Sequence, residues 1–132
     1  MHKIAKKDFG FQLTFGDNID VPEMMRWREE ARAALVGAPK SFGVLIDMRT
    51  LKPGGIQPDA QKVMVEGQGL FKQAGMERSC VILQSATVTM QFERIAHESG
   101  IFAVERYINA ALKPDWEPRA IGWIQKKIDP NA

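Results

Sequence analysis

The side chains whose types and spacing could do chemistry fall into three small groups. Asp47, Arg49 and Thr50 close one apolar run, Ser85 and Thr87 follow a second, and Glu93 and His97 stand four residues apart. A carboxylate, a cation and a hydroxyl are the groups that acid–base and nucleophilic chemistry draws on, so an enzyme using Asp47, Arg49 and Ser85 is one reading. The same residues have a structural use. Ser85 or Thr87 suits a helix N-cap, and Asp47 and Arg49 can pair within their own loop. Structural use is the favoured reading.

Glu93 and His97 share one face of a helix and offer two metal ligands, but no third nitrogen, sulfur or carboxylate stands at a recognisable spacing. They read as a solvated pair, and the only other histidine, His2, falls in an N-terminal stretch that reads as a frayed end. Cys80 is the only cysteine, so no intrachain disulfide is expected. It lies in Ser79-Cys80-Val81-Ile82-Leu83, where a thiol serves as a small hydrophobe. No Walker loop is present, since Gly54-Gly55 leads into Ile56-Gln57-Pro58. Gly67-Gln68-Gly69 lacks the third glycine of a dinucleotide loop, position 72 being Lys, and no serine sits in a nucleophile elbow. The sequence therefore predicts no catalytic set, no cofactor and no metal.

The elements that must position these residues can be read from periodicity. Residues 9–15 alternate as a half-buried strand, with a thin signal for a short strand around Ile4. A helix follows over 22–36, capped by Asp20 and stopped at Gly37-Ala38-Pro39. The continuous apolar run at 42–48 reads as a central strand, and 49–58, punctuated by Pro53-Gly54-Gly55, as a loop. A helix over 59–74 ends at Gly75; a strand at 79–83 leads to a helix that stops at Gly100. A short strand at 105–109 and a last helix capped by Asp115 complete the chain. Alternating strands and helices imply an α/β domain: one mostly parallel, mixed sheet flanked by about four helices. Ligands of such sheets bind outside the carboxyl ends of the strands, which places Asp47, Arg49, Thr50, Ser85, Thr87 and Asn109 there.

At 132 residues and a formal charge of +2, the sequence predicts a single domain over 1–132. Basic and acidic residues divide evenly between the halves, which argues against a nucleic-acid partner. The N-terminus lacks the apolar stretch of a secretory signal, and no apolar run approaches the ~20 residues of a membrane span. A cytoplasmic protein is expected.

Several short stretches also resemble a known family. Gly43-Val44-Leu45-Ile46-Asp47-Met48-Arg49 with a Pro-containing loop and helix behind it is similar to the SpoIIAA-like branch of the STAS domain family. So are Gly75-Met76-Glu77-Arg78 leading into Cys80-Val81-Ile82-Leu83, Glu93-Arg94-Ile95-Ala96 with Ser99-Gly100, and the ending 111–123. The resemblance implies a mixed sheet with an antiparallel strand near the N-terminus, related in shape to CRAL-TRIO lipid-binding domains. It also implies a non-catalytic interaction module, with a protein partner or a homodimer, and as the alternative a carrier of a lipid or apolar small molecule. In the family's anti-sigma-factor antagonists a serine at the start of the helix after a central strand is phosphorylated. The matching stretch here, 50–57, has no serine and only Thr50, early in it, as a hydroxyl, so the family's switch serine is not matched.

Overall fold

The computed structural model describes residues 1–132. Its elements run β1 (His2–Lys7), β2 (Gly10–Phe15), β3 (Asp17–Ile19), α1 (Val21–Ala34), β4 (Phe42–Asp47) and β5 (Leu51–Ile56). They continue with α2 (Pro58–Ala74), β6 (Met76–Leu83), α3 (Ala86–Ser99), β7 (Glu105–Asn109) and α4 (Trp116–Lys126). A single 3-10 turn, Phe102–Val104, joins α3 to β7. The protein is α/β, with a mostly parallel, mixed sheet as its spine. The main sheet has the order β1-β2-β4-β6-β7, with β1 antiparallel to β2 and every other pair parallel.

Each parallel crossover steps the same way across the sheet. Right-handed crossovers that all advance in one direction put their helices on one face, so α1, α2 and α3 lie together. Phe11, Leu13, Phe15, Val44, Ile46, Val81 and Leu83 meet them from the sheet, and Met24, Trp27, Met64, Phe71, Phe92 and Ile95 from the helices. The opposite face carries Leu45, Cys80, Ile82 and Ile108, covered by Ala120, Trp123 and Ile124 of α4. No helix is long and apolar enough to cross a membrane.

The helix ends follow their sequence signals closely. Asp20 Oδ1 accepts from the Glu23 amide at 2.9 Å, which caps α1. Ser85 Oγ accepts from the Val88 amide at 3.3 Å and so, rather than Thr87, caps α3. Gly100, with φ 82°, closes α3 in the left-handed region that favours glycine. Asp115 departs from expectation. It stands at the N-cap position of α4, but its carboxylate accepts from Arg119 Nε at 2.9 Å instead of from a backbone amide.

One further expectation is extended and two are corrected. The thin signal around Ile4 is a full strand, β1, paired with β2 from His2↔Phe15 to Lys7↔Gly10. Its alternation is masked by lysines on the free edge, a device that discourages pairing with another chain. His2 is accordingly not frayed: its ring lies between the carboxylates of Glu23, at 2.9 Å, and Glu30. Third, the predicted loop at 49–58 contains β5, which pairs in parallel with β3 as a separate two-stranded sheet. Only the ends of β5, Leu51 and Gly55-Ile56, are buried, so no period of two exists to be read. Pro53, which cannot donate to a ladder, is tolerated because β5 has one partner strand only.

Candidate functional site

The carboxyl ends of β4 and β6 do hold the predicted polar residues, but as two separate groups. Asp47 and Arg49 close on each other in a bidentate pair: Arg49 Nε donates to Oδ1 and Nη2 to Oδ2, both at 3.0 Å. The Arg49 amide donates to Oδ1 as well, at 3.1 Å. The guanidinium lies 4.5 Å from the centre of the Trp116 ring, in cation–π geometry. Hydrogen bonding to Asp47 holds Arg49 above its ordinary pKa. Thr50 is exposed, and its carbonyl accepts from the Asp17 amide, where β3 and β5 meet.

Ser85 is occupied as the α3 cap, and its carbonyl accepts from Thr89 Oγ1 at 2.9 Å. Thr87 is exposed on the first turn of α3, and Asn109 Oδ1 accepts from the Ala111 amide at 3.0 Å. No hydrogen bond or ion pair joins the Asp47–Arg49–Thr50 group to Ser85 or Thr87. None of the five principal pockets is lined by any of these five residues. Glu93 and His97 are likewise not joined by a hydrogen bond; the His97 ring stacks on Phe102 with centroids 3.8 Å apart. Cys80 is fully buried, and burial, with the nearby Glu105 charge adding to it, pushes its thiol well above the ordinary range.

A different constellation lies inside, on the face of the sheet toward α2 and α3. Glu105, 3% exposed, opens β7 directly beside Ser79 of β6. Ser79 Oγ donates to one carboxylate oxygen at 2.8 Å and Tyr107 Oη to the other, also at 2.8 Å. Burial raises the Glu105 pKa to about 7, although both hydroxyls pull the other way. Tyr107 is itself raised by burial and by the Glu105 charge.

This carboxyl lines an internal cavity of about 30 Å³ walled almost entirely by hydrophobic side chains from the sheet, α1, α2 and α3. Trp27 lines it too, and its Nε1 is the one buried side-chain polar atom without a hydrogen-bond partner. Sequence reasoning missed Glu105 because a lone glutamate at a strand start reads as a solvated charge. The available signal was the alternation Glu105-x-Tyr107-x-Asn109, which puts all three on one face of the last strand.

Set against family models, curated proteins and solved structures, the chain finds no significant match in any of the three.

Proposed function

We propose that the protein is a non-catalytic, STAS-like interaction module of the cytoplasm that docks a protein partner. The observation that carries this reading is an apolar groove between α3 and β7. Met90 and Leu112 flank it at 71% and 78% exposure, and Tyr107, Thr89 and Ala86 line it. Single exposed hydrophobics are ordinary, but two large ones on opposite walls of one groove offer a seat for an apolar side chain. Glu93 and Lys113 at the same groove supply one charge of each sign for orienting a partner. The Asp47–Arg49–Trp116 cluster stands nearer the start of α4 and serves the fold through its internal pairing.

The test places a photo-crosslinking residue at position 112 and identifies what is captured in host extract. The expected product is one protein at near-stoichiometric yield, or a second copy of the chain, and Met90→Glu should reduce the yield about tenfold or more while leaving thermal unfolding unchanged. Recovery of the same proteins at the same yield from Met90→Glu, with the wild type sedimenting as a monomer, would sink the proposal.

A further inference from the structure

We infer that the free edge of β7 takes an extended segment of the docked partner as an added antiparallel strand, and that Asn131 is the latch closing that edge. The inference rests on the α3–β7 groove being a docking site; it adds the form of the partner and the residue that guards it. β7 ends the main sheet, so one side of it has no partner strand. The Ala110 amide, just past β7, donates to the Leu83 carbonyl of β6 at 2.8 Å. Main-chain groups alternate sides along a strand, so Arg106 and Ile108 face β6 while Glu105, Tyr107 and Asn109 face the open edge. The chain's own donors occupy all three carbonyls there. Arg106 Nη1 donates to that of Glu105 at 3.0 Å, and the Leu112 and Lys113 amides donate to that of Asn109 at 3.1 and 3.0 Å. The Tyr107 carbonyl accepts from Asn131 Nδ2 at 2.9 Å, a donor from the segment beyond α4.

That segment leaves α4 on one face of the sheet and reaches the groove on the other, where Asn131 is part of the lining. Its grip is uneven. Pro130 is buried and its carbonyl accepts from Arg119 Nη1 at 2.9 Å, which anchors the turn. Asn131 beyond it is exposed, and its own amide donates to Asp129 Oδ1 at 2.9 Å instead of to β7. The segment therefore does not pair as a strand, and one neutral side-chain bond holds the Tyr107 position. The Tyr107 amide faces the same edge with no acceptor. An antiparallel partner residue opposite Tyr107 would accept from this amide and donate to the carbonyl, two main-chain bonds in place of one. Residues directly opposite share a face of the sheet, so that partner side chain falls in the groove beside Met90 and Leu112. An apolar side chain suits those walls. Asn131 needs only a change of rotamer to yield.

The probes are a blocked pentapeptide, leucine at its centre and threonine elsewhere, and the same peptide N-methylated at the leucine. Titrated into the isotope-labelled protein and followed by NMR, the first should shift the Tyr107 and Asn109 amides and the Met90 methyl. Asn131→Ala should bind it about three- to tenfold more tightly, because one neutral hydrogen bond no longer holds the edge shut. The N-methylated peptide has no proton for the Tyr107 carbonyl and should bind both proteins about tenfold or more weakly. Equal affinity of wild type and Asn131→Ala, with the same resonances shifting, overturns the latch and leaves the docking groove standing. Equal affinity of the two peptides overturns strand addition, and shifts at Met90 and Leu112 without Tyr107 would then still report the groove. No shift in either protein overturns the edge as a site, whereas the groove answers separately to crosslinking at position 112. Tyr107 shifts that grow with the concentration of Asn131→Ala alone would make the occupant a second copy of this chain and overturn the partner segment.

Discussion

Glu105 and Ser79 are the only polar side chains committed to the interior, and they meet there. Because burial raises Glu105 to about 7, the folded chain binds its proton more tightly than the unfolded chain does. Stability from this group is therefore fully present below its ordinary pKa and is lost as pH rises through about 7. A change from 4.5 to about 7 corresponds to about 3 kcal/mol across that window. The neighbours do not offset it: Tyr107 and Cys80 are neutral there, and the Arg106 guanidinium lies 4.2 Å from the Trp123 ring centre, toward α4. Urea unfolding at pH 5 and pH 8 should show the wild type losing midpoint toward pH 8, whereas Glu105→Gln should be nearly flat. A wild type that gains stability over the same interval contradicts the assignment. Glu23 has the opposite sign. Partial burial raises it, but the hydrogen bond and charge of His2 and the terminal ammonium more than offset this and hold it low, so its contribution disappears only in acid.

Within the elements, helix α2 shows how side-chain volume fixes the spacing of layers. A Cβ on Gly67 would run into the six-membered ring of Trp27, whereas a Cβ on Gly69 would meet nothing within 4 Å. Trp27 cannot retreat: Phe15 packs against it edge-on at 5.2 Å and Phe71 stacks on it at 6.2 Å. Both glycines cost helix propensity, so alanine at either position gains up to ~1 kcal/mol before contacts are counted. Gly67→Ala should nevertheless destabilise by about 1–2 kcal/mol, because overpacking at an immobile ring outweighs that gain. Gly69→Ala should stabilise by up to ~1 kcal/mol. Melting temperatures of the two variants, one below and one above the wild type, would check the contrast. The core stripe containing Gly67 was legible in the sequence, as were β2 and all four helices, because each buries one face at its own period, and β4 was legible as a continuous apolar run because it is covered on both faces. β5 was not, since only its ends are buried. The cavity was not either, because Trp27, Glu105 and Met64 come from three elements and share no local pattern.

On the scale of the whole molecule the sheet separates two cores of unequal cover. Three helices and most of the buried side chains lie on one side, while α4 alone covers the other. What holds α4 is specific. Ile124 packs where Gly43 has no side chain, and Trp123 Nε1 donates to the Ser79 carbonyl at 3.0 Å. Arg78 Nε donates to the carbonyls of Trp123 at 2.9 Å and Ile124 at 3.1 Å, near the negative end of the helix dipole. A single helix over a small core is expected to open as a unit below the global unfolding free energy. Cys80 reports on that opening, being wholly buried in the core under α4. Arg78→Ala removes hydrogen bonds from a charged donor that are worth ~1.5–3 kcal/mol each at most. The variant should therefore raise the rate of Cys80 labelling by a thiol reagent about 10- to 100-fold in the absence of denaturant. Aromatic signals from Phe71 and Phe92, on the far side of the sheet, should stay native in the same sample, because their cover is α1, α2 and α3. If labelling instead keeps pace with global unfolding in both proteins, α4 does not open separately, and the two cores form one cooperative unit across the sheet.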